Sequence, residues 1–221
     1  MKNSEFLELL ENYNKHVFTI SDAVKLTGKP RKYVSLILSK NNKFKRIERG
    51  KYYIKNTSVY EIASNIVSPS YISLISAFRY YNLITQMPNL IYVVSTKQHK
   101  NVELEGYEIK FVKFKRKCIL GYNTEDGSFV ASPEKAIVDA LYTNLEFDYV
   151  SEAFGNIENP DIEMLKKYAI IMESKILVNK LGFLLESLGI NADDLLKKRS
   201  SRYAILSLGN KINSKWRVKH A

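Results

Sequence analysis

The chain of 221 residues has a single cysteine, Cys118, so it holds no internal disulfide and no cysteine-based zinc cluster. Its three histidines, His16, His99 and His220, lie far apart and match no metal-ligand spacing. There is no G-x-S-x-G elbow, no Walker loop and no G-x-G-x-x-G, which leaves hydrolase and nucleotide-binding functions without a motif. No apolar run reaches the length of a membrane span. The start, MKNSEFLELLENYNK, lacks the charged lead and apolar core of a secretory signal, so a cytoplasmic location is the expectation.

Positive charge, by contrast, is abundant and segregated. The net charge is +11. Residues 25–55 hold eleven Lys/Arg against one acid, Glu48; residues 97–117 hold seven against three, and 197–221 hold eight against none. Residues 118–196 reverse the sign, with five bases and fourteen acids. Segregation of this kind implies surfaces with different partners, and the basic ones suit nucleic acid or anionic lipid.

The first basic stretch has a readable order. Ser4–Glu11 forms a helix with Phe6, Leu9 and Leu10 on one face. A short extended piece, Val17–Ile20, follows; Ser21 is then the expected N-cap of a helix over 22–27, ended by Gly28. Pro30 suits the first position of the next helix. On a 100° wheel, Tyr33, Val34, Ile37 and Leu38 share one side, while Arg31, Lys32, Ser35 and Ser39 share the other. Residues 44–54 make a hairpin turning at Glu48-Arg49-Gly50. Its apolar Phe44, Ile47, Tyr52 and Ile54 do not all reach one face in strict register, so a bulge is expected. Lys43, Lys45, Arg46, Arg49, Lys51 and Lys55 stay exposed.

Helix, short helix, glycine turn, basic helix and basic hairpin is the order of a winged helix-turn-helix, whose second motif helix enters the major groove. Lys29, Arg31, Lys32, Ser35 and Ser39 are the candidate groove contacts, with Lys43, Lys45, Arg46, Arg49 and Lys51 on the wing. The rival is a protein-binding winged helix whose cations only protect an exposed edge.

Thr57–Ile66 reads as a linking helix, and Ser68-Pro69-Ser70 punctuates the chain, giving domains of 1–67 and 68–221. The second is expected to be mixed: a helix over 71–84, strands at 90–96 and 107–114, one or two strands within 118–131, and a helix opened by Ser132-Pro133-Glu134. Helices over 161–172 and 174–190 follow, then short strands in YAILSL and SKWRVKH. The fold class is α+β.

These pieces, in order, resemble the AbiEi-type antitoxins, predicted transcriptional regulators of viral defence systems. The resemblance rests on FTISDAVKLTGKPRKYVSLILSKNNKFKRIERGKYYI (18–54), SPSYISLISAFRYYNLI (68–84) and IYVVST. It continues through ASPEKAIVDALY (131–142), KLGFLLESLGI (180–190) and the closing KWRVKH, and so spans nearly the whole chain. Lys135 stands where the family usually has arginine. The resemblance implies a repressor that binds inverted repeats of double-stranded DNA in its own promoter. It also implies an antitoxin countering a nucleotidyltransferase-like toxin, functionally if not physically.

Other chemistry has less behind it. Glu108 and Lys110 have the E-x-K spacing of metal-dependent nucleases, with Glu103 or Glu105 needed as a further acid. Alternating exposed charges on a strand explain the same pattern. Asp139 is expected to cap, pair with a cation or face water, and Cys118 to be half-buried. The eight Tyr and Phe residues between 71 and 114 are expected in the core rather than on a base-stacking surface. No catalytic residue, metal or cofactor is expected. Lys197, Lys198, Arg199 and Arg202 form a candidate second nucleic-acid patch, alone or with 97–117.

Overall fold

Phe6 and Leu10, one turn apart on helix α1 (Asn3–Asn12), are both fully buried and nucleate the smaller of two apolar cores. The computed structural model describes residues 3–86, 89–207 and 209–221. After α1 come β1 (Val17–Thr19), α2 (Ile20–Thr27), α3 (Arg31–Lys40), β2 (Phe44–Glu48) and β3 (Lys51–Ile54), the element order expected from the sequence. Phe6, Phe18 and Phe44 meet edge to face with ring centroids 5.2–6.4 Å apart, a geometry that suits the aromatic quadrupole.

Helix α2 is capped by Thr19, not Ser21. Thr19 leaves β1 in extended geometry, and its hydroxyl accepts from the Asp22 N–H while the Asp22 carboxylate accepts from the Thr19 N–H. This reciprocal box satisfies donors that Ser21, already inside the helix, cannot reach. Gly28 ends the helix at φ 63°, left-handed backbone suited to glycine. On α3, Val34, Ile37 and Leu38 are buried as expected, but Tyr33 is 37% exposed, because it falls on the flank of the buried stripe.

The three strands form a sheet of order β1-β3-β2. Phe44 pairs with Ile54, Lys45 with Tyr53 and Arg46 with Tyr52; a bulge then brings Glu48 opposite Lys51. The bulge resolves the register conflict by dividing the apolar set. Phe44 and Ile54 enter the small core with Tyr52 against it, whereas Ile47 packs against the larger core together with Tyr53 and Val17. The hairpin is therefore apolar on both faces.

The larger core surrounds a six-stranded sheet of order β6-β7-β5-β4-β9-β8, built from β4 (Ser70–Ile72), β5 (Leu90–Ser95), β6 (Val102–Leu104), β7 (Tyr107–Lys113), β8 (Tyr122–Glu125) and β9 (Ser128–Ala131). Its β5/β7 and β4/β9 pairs are parallel and the other three antiparallel. Residues 70–72 form a central strand of this sheet rather than the start of a helix. Tyr71 and Ile72 are both fully buried, and a continuous apolar run covered on two faces has no helical or strand period of its own. The helix begins only at α5 (Ile75–Tyr80), beyond Leu74 at φ 58°. Helix α4 (Val59–Asn65), capped by Ser58, places Ile62 and Ala63 in the larger core, and Ile66 and Val67 after it join them.

Helices α6 (Pro133–Tyr142), α7 (Phe147–Gly155), α8 (Ile162–Ile171) and α9 (Lys175–Ser187) complete that core, with Ser132, Asp161 and Ser174 capping α6, α8 and α9. Helix α7 and strand β6 were not foreseen. The chain closes with a small sheet of order β10-β12-β11, made of β10 (Ala204–Ile205), β11 (Lys211–Asn213) and β12 (Val218–His220). Leu208, in the segment expected to form a terminal strand, lies outside the described residues. Trp216 is fully buried and stands over Gly182 of α9, where a β-carbon would overlap its ring. The protein is α+β, and among the described residues no helix is long and apolar enough to cross a membrane.

Candidate nucleic-acid interface

The loop entering α3 and its first turn present Lys29, Arg31 and Lys32 outward because the helix turns Val34, Ile37 and Leu38 inward. Ser35 is exposed on the same helix, as is Leu36 at 50%. Among the described residues no carboxylate forms an ion pair with Lys29, Arg31 or Lys32. Ser39 is exposed, but its hydroxyl donates to the Leu36 carbonyl at 3.0 Å.

The hairpin cations divide into two groups. Lys43, Arg46 and Arg49 are exposed, with Arg46 Nε donating to the Glu48 carbonyl at 3.0 Å. The turn itself is pinned to the start of α2, where the Ile20 N–H donates to the Gly50 carbonyl at 2.9 Å. Lys45 and Lys51 are committed elsewhere. Lys45 Nζ donates to Glu105 Oε1 at 2.8 Å, in the β6–β7 turn. Lys51 pairs with Glu48 at 2.9 Å and donates to the Ile66 carbonyl.

Further contacts make this a latch between the two cores. The Tyr53 hydroxyl donates to Glu105 at 2.5 Å, His99 Nε2 lies 3.3 Å from Glu48 Oε2, and His16 Nδ1 lies 2.8 Å from Glu61 Oε1. The His99 ring in turn sits 4.6 Å from that of Phe111. The bond from Lys45, then that from Tyr53, hold the Glu105 carboxyl below the usual carboxylate range. At Glu48 partial burial opposes ionisation, but Lys51 and then His99 outweigh it and the carboxyl is again lowered. Burial, followed by the bond to Glu105, pushes the Tyr53 phenol well up.

The second basic stretch does not form one patch. Lys97 and Lys100 flank His99 and so lie near the hairpin turn. Lys115, Arg116 and Lys117 follow the far end of β7, where Lys117 pairs with Glu173. In the C-terminal stretch Lys197, Lys198 and Arg202 are exposed, whereas Arg199 is half-buried with its Nη1 enclosed and unbonded.

The E-x-K pair points to no metal site. Glu108 and Lys110 close an ion pair with each other at 3.3 Å, and Glu108 accepts from Asn101 at 2.9 Å. Glu103 stands opposite Glu108 across the ladder, but Glu105 is spent on the latch. Among the described residues no three His, Cys, Asp or Glu side chains gather as metal ligands.

Asp139 is fully buried and paired with Lys135, itself 1% exposed, one turn earlier on α6. Tyr71 donates to Asp139 at 2.9 Å and Ser73 at 2.8 Å, while Lys135 Nζ donates to the Tyr71 oxygen at 3.0 Å. Burial raises the Asp139 carboxyl despite Lys135, and burial followed by Asp139 raises the Tyr71 phenol. The pair ties the central strand to α6 with no opening to solvent. Cys118 is buried beside it at 2% exposure, deeper than expected, and burial raises its thiol.

Sequence reasoning missed the latch residues Glu48, Tyr53, His99 and Glu105. One signal was present: Glu48 is the single acid of the first basic stretch, and Glu105 is one of only three in the second. No protein-family model matches the chain, and no curated protein matches it.

Proposed function

We propose that the N-terminal unit is a winged helix-turn-helix and that the protein is a sequence-specific DNA-binding repressor. The observation that carries this reading is the cluster of cations leading α3, Lys29, Arg31 and Lys32, without carboxylate partners among the described residues, on a helix that buries Val34, Ile37 and Leu38 on its other side. Such a helix offers guanidinium and ammonium groups to guanine edges and phosphates without first breaking an intramolecular ion pair. Lys43, Arg46 and Arg49 hold the DNA backbone, and Ser35 makes a less discriminating contact. Lys45 and Lys51 serve the latch, so they contribute to orienting the winged unit rather than to phosphate binding.

The resemblance to AbiEi-type antitoxins supports a further step. In this reading the protein acts in the cytoplasm, represses its own operon through inverted repeats, and counters a nucleotidyltransferase-like toxin through the second unit. The test is binding to its own upstream DNA at two salt concentrations, comparing wild type with the Arg31→Ala/Lys32→Ala double variant. Tight, sequence-selective binding that the double variant loses supports the reading. Equal weak binding of every DNA by both proteins refutes it.

A further inference from the structure

The small C-terminal sheet packs on α9 through one face only. Ala204, Val218 and the Trp216 before β12 are buried against the larger core. The other face is open. Ile205 stands opposite Lys219, which stands opposite Ile212, so these three form a row across β10, β12 and β11. Tyr203, two residues before Ile205, projects to the same side, and Lys219 Nζ lies 6.0 Å from its ring centroid. Tyr203 is 45% exposed, Ile205 65% and Ile212 55%.

We propose that this face binds single-stranded nucleic acid. An aromatic ring and two aliphatic side chains offer a surface for unpaired bases, and the ammonium between them meets a phosphate. The surrounding charge favours a polyanion. Among the described residues no carboxylate pairs with Lys197, Lys198, Arg202, Lys211 or Lys219. Two acids beside this sheet are spent locally: Glu186 binds Lys215 and the Trp216 indole, and Asp193 binds Lys215. A duplex keeps its base faces stacked inside and gives Tyr203 nothing to pack on, whereas an unpaired strand exposes them. A sheet face that stacks bases on its side chains takes about two or three of them. The site is separate from α3 and does not depend on the function proposed for it.

The test uses the full chain and fluorescence anisotropy with a 12-nucleotide oligo(U), the matching oligo(dT), a duplex and a glutamate-rich peptide. Tyr203→Ala is expected to weaken single-strand binding about tenfold, the loss of one stacked base, while Tyr203→Phe stays within about twofold. Lys219→Glu weakens it as well, the Arg31→Ala/Lys32→Ala variant does not, and duplex binding is unchanged by Tyr203→Ala. Trp216 emission confirms that each variant keeps the sheet docked. The ratio of oligo(U) to oligo(dT) affinity separates RNA from single-stranded DNA. The proposal is overturned if wild type binds neither oligonucleotide, or if Tyr203→Ala binds both as wild type does. It is overturned equally if single-strand binding disappears with Arg31 and Lys32. Peptide binding that Lys219→Glu abolishes, with no oligonucleotide bound, would assign the face to an acidic protein.

Discussion

Tyr53 donates its hydroxyl hydrogen to Glu105 at 2.5 Å across the boundary between the two cores, and Lys45 donates to the same carboxylate oxygen at 2.8 Å. The side of the hairpin that carries Tyr53 and Lys45 therefore belongs to the interface with the six-stranded sheet. The opposite side, with Phe44 and Ile54, packs into the small core, so the cations of the hairpin project from an element covered on both faces.

Glu105→Gln is expected to loosen the hairpin without unfolding either core. Glutamine still accepts from Tyr53 but no longer pairs with the Lys45 ammonium. Amides of β2 and β3 should exchange faster in the variant while those of β5 and β7 keep wild-type protection. Unchanged exchange in the hairpin would show that apolar packing of Tyr53 and Ile47 alone holds it.

The latch should also weaken in acid. Glu48 and Glu105 both have folded-state values below the ordinary 4.5, so the unfolded chain binds protons first as pH falls. Their stabilisation is complete above that value and is lost as pH drops through the lowered ones. Melting temperature should fall below pH 4.5, and the Glu48→Gln/Glu105→Gln variant should show a shallower fall in thermal scans.

Removing one partner of the buried Lys135–Asp139 pair leaves the other charge enclosed. Lys135→Met should cost about 3–5 kcal/mol in urea unfolding, and the Lys135→Met/Asp139→Leu double variant should recover much of it. A cost below about 1 kcal/mol for the single variant would mean that Asp139 simply takes up a proton and stays bonded to Tyr71 and Ser73.

Gly182→Ala places a methyl group in the Trp216 ring. Overpacking of this kind costs about 1–3 kcal/mol, and relief comes most easily by lifting the C-terminal sheet off α9. Trp216 is the single tryptophan, so a red-shifted emission with unchanged helix content would report that movement directly.

In the proposed repressor reading, DNA binding depends on Arg49 more than on Lys45. Every phosphate left without its cation makes the slope of log affinity against log salt shallower by about 0.9, so Arg49→Ala should reduce it and Lys45→Ala should leave it nearly unchanged. A drop with Lys45→Ala equal to that with Arg49→Ala would show that the latch opens on DNA.

Much of the fold was legible because it rests on local chemistry. The extent of α3 follows from the apolar positions 34, 37 and 38, although Pro30 stands as its N-cap rather than in its first position, and the helix at Ser132-Pro133-Glu134 follows from its cap and proline. The hairpin bulge followed from four apolar residues that one register does not bury together. Where two local rules competed, the structure chose: Thr19 took the cap from Ser21 because the preceding strand had already set its backbone.

By itself the sequence determined the order of the N-terminal elements, the segregation of charge and the cations available to α3, since all three depend on neighbours along the chain. Tertiary structure alone decided that residues 70–72 are a central strand, that Asp139 is buried against Tyr71 and Ser73, and that Lys45 and Lys51 are spent on the latch. Those outcomes join residues up to 68 positions apart, as Tyr71 and Asp139 are. A carboxylate's partner at that separation is set by how a strand and a helix distant in sequence pack together, and no local period or spacing encodes it.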